Sequence, residues 1–138
     1  MQPYIRKTNY YETDRMGIIH HSNYIRWFEE ARIDFMNQAN APYVELEAAG
    51  VMIPVLGVEC TYHSMVRFGD TVEIEMKIVE YTGTRMAITY RVTDQATGAL
   101  RTTGSSRHCF LGANGRPVSL KKVNPRYDAV FRAHTQKE

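Results

Sequence analysis

The hydrophobic pattern of this chain changes period once, and that change limits the folds open to it. Tyr24, Trp27, Phe28, Ala31 and Phe35 recur at helical spacing and form a wide apolar stripe. Arg26, Glu29, Glu30 and Arg32 fall mainly outside it. From Val51 onward a period of two takes over. "VEIEMKI" (Val72 to Ile78) alternates apolar and charged residues without error, and "MAITYRV" puts Met86, Ile88, Tyr90 and Val92 on one face. Both read as half-buried antiparallel strands.

The remaining segments fit around these. Tyr4 to Asn9 is a weak strand candidate. The long helix is expected to start near Ser22 or Asn23, either of which can accept from the free N–H groups of the first turn. A capping box is absent, because Ile25 and Arg26 stand where Glu or Gln would be needed. "ANAPYVELEAAG", ending at Gly50, holds a short turn of helix. "VMIPVLGVECTYHSMV" reads as one long strand bent at Pro54 or Gly57. "LRTTGSSRHCFL" is another, whose Gly104, Ser105 and Ser106 would let a helix lie close. "FGDT" and "DQATG" are turns. In "NPRYDAVFR", Asn124 is the N-cap and Pro125 the first helical residue. The order is strand, long helix, four strands and short helix. It predicts an α+β fold, one antiparallel sheet with one long helix on its face. The outer sheet face carries Glu73, Glu75, Lys77, Thr89 and Arg91 and is expected to meet water or other polar surface.

A length of 138 residues suits a single domain, 1–138, with one sizeable core. No apolar run approaches the ~20 residues that cross a bilayer, and the N-terminus has no signal-peptide core. A soluble, cytoplasmic protein is expected. Net charge is +2 with both signs interspersed, which does not suggest a nucleic-acid partner. Cys60 and Cys109 lack metal-type spacing and are expected as buried thiols. Cys109 follows His108, but neighbours on a strand point to opposite faces, which argues against a Cys–His dyad.

The chemistry-bearing residues gather in "ETDRMGIIHHSNYIRWFEEAR", from Glu12 to Arg32. Asp14, Gly17, Ile18, Ile19, His21, Tyr24, Trp27, Phe28, Glu29, Ala31 and Arg32 match a known signature. The stretch resembles the N-terminal motif of the hotdog-fold acyl-CoA thioesterases of the 4-hydroxybenzoyl-CoA thioesterase type. "VRFGDTVEIEMKIVEYTGTRMAITYRV" and "GANGRPVSL" resemble that family's middle hairpin and final turn. The resemblance implies a hotdog fold, a five-stranded antiparallel sheet wrapped around one long helix. It also implies a homodimer whose sheets join edge to edge, often paired into a tetramer, with active sites at the dimer interface. Asp14 matches the family's catalytic carboxylate. His21 matches the position whose backbone N–H binds the thioester oxygen. His20 departs from the commonest pattern, in which an aromatic residue stands there.

The residues themselves agree with that chemistry. Thioester hydrolysis needs a donor for the oxygen that gains charge and a group to deliver water. A helix N-terminus offers unpaired N–H groups and the positive end of a dipole. A carboxylate can serve as general base on water, or attack the carbonyl to form an anhydride. Gly17 lets the loop approach a ligand or take a positive φ, and Tyr24 is expected at the pocket mouth. No cofactor and no metal is called for, and adjacent histidines diverge too much to chelate. The plainer readings are a turn braced by Asp14 and a surface pairing of Glu29 with Arg26 or Arg32. Another hotdog subgroup carries its acid on the helix, which keeps Glu29 as a second candidate. Arg85, Arg107, Arg116, Lys121 and Lys122 could meet CoA phosphates, although each alone reads as a solvated charge. The expected activity is hydrolysis of acyl-CoA to a carboxylic acid and CoA. The alternatives are a hydrolase for acyl groups on acyl carrier protein, a non-catalytic acyl-thioester binding module, and a dehydratase, whose usual His–acid pair is not seen here. Met36, Tyr43, Met52, Tyr62 and Met65 are the candidates for setting pocket depth.

Overall fold

A computed structural model describes residues 1–136, so the last two residues of the expected domain lie outside the described residues. Strand β1 (Tyr4–Lys7) leads through a single 3-10 turn (Tyr10–Glu12) and a loop into helix α1 (Ser22–Gln38). Helix α2 (Tyr43–Ala48), strands β2 (Val55–Tyr62), β3 (Thr71–Tyr81), β4 (Arg85–Asp94) and β5 (Leu100–Cys109), and helices α3 (Leu120–Val123) and α4 (Pro125–Ala133) follow. The strands form one antiparallel sheet in the order β1-β3-β4-β5-β2. This is the α+β hotdog arrangement expected from the sequence.

The two periods read from the sequence meet in one core. The helix stripe Tyr24, Trp27, Phe28, Ala31 and Phe35 is buried against Val72, Ile74, Ile78, Ile88 and Val92 of the sheet. Phe28 stacks on Tyr90 with ring centroids 4.1 Å apart and planes 6° from parallel. Beneath it Gly104 leaves the space: a Cβ there would stand 2.6 Å from the Phe28 ring. Any side chain at 104 would push the helix off β5, and this fixes how deeply α1 sits. On the other sheet face Glu75, Lys77 and Arg91 are exposed, as the alternation requires.

Three local expectations are corrected. The strand expected from Val51 begins only at Val55, because Pro54 has no N–H to give a ladder. Its register slips between Val55 and Gly57. At the start of α1 neither Ser22 nor Asn23 caps with its side chain. The ring of His20 does this work, its Nδ1 lying 3.2 Å from the Ser22 N–H that it accepts from and 2.9 Å from Ser22 Oγ. Among the described residues Glu29 forms no ion pair, with Arg26, Arg32 or any other cation. At the far end Asn124 does cap α4, accepting from the Tyr127 N–H at 3.2 Å.

Candidate active site

The loop between β1 and α1 is built around a carboxylate that the sequence did not single out. Glu12 is 3% exposed. Its side chain takes an ion pair from Arg6 at 2.9 Å, the indole N–H of Trp27 at 2.9 Å and the Asn9 backbone N–H at 2.8 Å. Its carbonyl accepts from the His20 N–H at 2.9 Å and from Asn23 Nδ2 at 2.9 Å. A buried charge so fully bonded keeps its desolvation cost low. The loop is thereby fixed at both ends to β1 and α1.

Within that frame the chain makes a tight reversal. The Gly17 N–H donates to the Asp14 carbonyl at 3.1 Å, and the Asp14 N–H to the Ile18 carbonyl at 2.8 Å. Gly17 sits at φ +76°, a conformation other residues adopt only with strain. Asp14 Oδ1 accepts from the Met16 N–H at 2.8 Å. The turn-bracing role is therefore real, but it occupies one carboxylate oxygen. Among the described residues nothing bonds Oδ2. The Ile19 N–H donates to the Val66 carbonyl at 2.8 Å and fastens the loop to the segment between β2 and β3.

The helix start follows directly. The Ser22 N–H donates to the His20 ring, the Asn23 N–H to the His20 carbonyl at 3.0 Å and the Tyr24 N–H to the His21 carbonyl at 3.3 Å. The His21 N–H meets no acceptor among the described residues. One peptide at the positive end of a 17-residue helix thus keeps its donor free. The His21 ring stacks on His20 at 4.2 Å and stands edge-on to Tyr62 at 6.5 Å.

Asp14, His21 and Tyr24 line one cavity of about 370 Å³. Tyr62, His63, Ser64 and Met65 form its opposite wall. Gly17 is not in the lining; it shapes the turn that presents Asp14. Tyr24 is buried to 4% exposure, deeper than a mouth position, and burial pushes its phenol above the ordinary range. Of the five residues expected to set pocket depth, Tyr62 and Met65 line this cavity. Met36 and Tyr43 line a different one, and Met52 lines neither. Glu29 also belongs to that second cavity rather than to the Asp14 site. The dyad argument holds as well: His108 bonds Ser106, its neighbour on the same strand face, and not Cys109. Both cysteines are free thiols.

A family model described as the thioesterase-like superfamily matches residues 9–131, from the start of the loop into α4. The chain belongs to this superfamily. It is 29% identical over 114 residues to the acyl-CoA thioester hydrolase YbgC of Escherichia coli O157:H7, spanning 82% of this chain and 85% of that protein. Among solved structures, a DHNA-CoA thioesterase from Staphylococcus aureus superposes with a TM-score of 0.91 at 26% identity, covering 96% of this chain and 89% of that one. The hypothetical protein TT1821 from Thermus thermophilus superposes with a TM-score of 0.88 at 30% identity, covering 97% and 99%. The matched span contains residues 12–24. No helix among the described residues is long and apolar enough to cross a membrane.

Proposed function

We propose that this superfamily member hydrolyses acyl-CoA thioesters to a free carboxylic acid and CoA. The observation that carries the reading is that His21, whose helix-start N–H is free, lines the same cavity as Asp14. The thioester carbonyl accepts from the His21 N–H, which strengthens as the oxygen gains charge; one such donor is worth about 10²–10³ in rate. Asp14 then acts in one of two ways. As general base it takes a proton from water while the water oxygen bonds to the carbonyl carbon, and the C–S bond breaks to release the CoA thiolate, which takes up that proton. As nucleophile its free oxygen bonds to the carbonyl carbon, the thiolate leaves, and water cleaves the resulting anhydride. Both routes consume one water and call for no cofactor or metal. The Gly17 turn holds Asp14 toward the carbonyl, and Tyr24 packs against the acyl end. The similarity to an acyl-CoA thioester hydrolase and to a DHNA-CoA thioesterase supports the substrate class. We place the reaction in the cytoplasm, and its working form is a homodimer or a dimer of dimers.

The test is a panel of acyl-CoAs with release of free thiol, run on the parent and on Asp14→Asn. Asn keeps an Oδ1 for the Met16 N–H but cannot take a proton or attack. A kcat lower by about 10²–10⁴, with melting temperature and affinity for a non-hydrolysable analogue nearly unchanged, is the expected result. Turnover within about threefold of the parent would remove Asp14 from the reaction. A pure binding module would show affinity and no turnover in either protein, and an acyl carrier protein hydrolase would turn over only the carrier-bound panel.

A further inference from the structure

Asn23 is 5% exposed, a polar side chain buried in the first turn of α1. It does not cap the helix. Its Nδ2 reaches back to two carbonyl oxygens instead, that of Glu12 at 2.9 Å and that of His20 at 3.3 Å. A primary amide carries two hydrogens, so both bonds can form at once. The same two oxygens also take backbone donors. The Glu12 carbonyl accepts from the His20 N–H at 2.9 Å, and the His20 carbonyl from the Asn23 N–H at 3.0 Å. Glu12, His20 and Asn23 thus close a small ring of hydrogen bonds between the loop and the helix. Burying an amide costs free energy unless it is bonded, and here the bonds fall on backbone next to the site.

The identity of the second oxygen matters most. The His20 carbonyl and the His21 N–H belong to one peptide unit, and a peptide is planar. Fixing the oxygen therefore fixes the direction of the N–H across the same bond. Donors on the oxygen also draw electron density toward it, which makes that N–H a stronger donor in turn. The side chains of His20 and His21 are exposed, so the buried hold on this peptide comes from residue 23. The His21 N–H, which meets no acceptor among the described residues, is aimed from behind.

We propose that Asn23 is a positioning residue: its side-chain amide holds the 20–21 peptide so that the His21 N–H points at the thioester oxygen and donates strongly to it. This rests on the acyl-CoA hydrolase reading of the site. Asn23 also ties Glu12 to the helix, which is a structural contribution, and two substitutions separate the roles. Asn23→Ala removes both side-chain bonds. Asn23→Ser restores a hydroxyl, which on a helix bonds the carbonyl three or four residues earlier. Here that is the His20 carbonyl, and the shorter side chain is expected to leave Glu12 without its second donor.

The probe is the carbadethia analogue of butyryl-CoA, a ketone in which CH₂ replaces the sulfur. It is labelled with ¹³C at the carbonyl and read by isotope-edited infrared spectroscopy. Bound to the parent, its carbonyl stretch is expected below that of the same ketone in a solvent without hydrogen-bond donors. In Asn23→Ala the stretch should move back toward the donor-free value. With the thioester that the parent turns over fastest, kcat should fall about tenfold or more while KM stays within about threefold. Asn23→Ser should recover the lower stretch and most of kcat, although its melting temperature stays near that of Asn23→Ala. Asp14→Asn should keep the parent's stretch, because the donor is intact. An unmoved stretch in Asn23→Ala, or a stretch and kcat that merely follow melting temperature, would overturn the proposal and leave the hydrolase reading standing. No lowering in the parent would overturn both, since no donor then meets the carbonyl. If Asn23→Ala fails to fold, Asn23→Asp, equal in size and without the donor, takes its place.

Discussion

His21 contributes a backbone donor and an aromatic wall from one residue, and the two can be separated by truncation. Its N–H is free at the helix start, while its ring lies against His20 and Tyr62. Replacement by Ala keeps the N–H and removes only the ring contacts. His21→Ala is expected to retain activity within about tenfold of the parent, with an unchanged pH profile. A loss of more than about a thousandfold in a folded variant would assign the work to the imidazole, because one backbone donor is rarely worth more. At this scale the sequence was readable where a motif fixes spacing: Asp14, His21 and Tyr24 line one cavity, although Tyr24 lies deeper than expected and Gly17 only shapes the turn. It was silent on Glu12, whose neighbours Thr13 and Asp14 make it look like one more loop polar residue. The missed signal was Trp27. A tryptophan central to an apolar helix face must find an acceptor for its indole N–H, and the acidic residues just upstream were the nearest supply.

Strand β5 shows how an element can be legible in outline and hidden in detail. Its small residues announced a close helix, and Gly104 under Phe28 bears that out. Its buried polar row was there to be read too, because Ser106 and His108 are two apart and therefore share a face. The sequence could not say which face, since "GSSRHC" has no clean apolar alternation to orient it. The consequence of burial is a pH dependence with a definite sign. The unfolded chain takes a proton at His108 near pH 6.5, whereas the folded chain refuses it until about pH 4. The groups around the ring are Ser106 on its own strand, Tyr90 of β4, Arg32 of α1 and the Pro54 carbonyl, which the unbonded Nδ1 faces. None of them is an acid that would stabilise the imidazolium. Stability is therefore complete above pH 6.5 and falls as pH drops toward 4, by at most about 3 kcal/mol at ~1.4 kcal/mol per unit. Asp94 and Asp128 are held below the usual carboxylate range by hydrogen bonds and cations, so their losses come at lower pH. Urea unfolding between pH 4 and 7 should show this slope in the parent and a flatter one in His108→Gln. Equal slopes would remove His108 as its source.

At the scale of the whole molecule the sheet has two ends, and they are finished differently. β1 is four residues long and is tied to α1 by Tyr4 and Arg6, both bonded to Glu30 at 2.8 Å. β2 is twice that length, and among the described residues no further strand of the sheet lies beyond it. Along it Val55, Leu56, Val58 and Tyr62 are each 38–48% exposed. A long apolar edge left open is a pairing hazard that proteins blunt with charge, proline or cover, and Glu59 is the one charge in this strand. Pairing with a second copy about a two-fold axis would continue the sheet antiparallel. It would also bring the Val55 end of one β2 to the Tyr62 end of the other, closing the open side of the Asp14 cavity, whose wall includes Tyr62. The protein is therefore expected to sediment at twice its 15.9 kDa or a multiple of that at micromolar concentration. Val58→Glu places two like charges near the axis and should shift the protein toward monomer. Acyl-CoA turnover should drop with it by at least tenfold, while each chain keeps its helical circular dichroism. Sedimentation and thiol release measured on the same samples decide the matter: a monomeric parent with full turnover, or a monomeric Val58→Glu that turns over like the parent, would show that one chain builds the site alone.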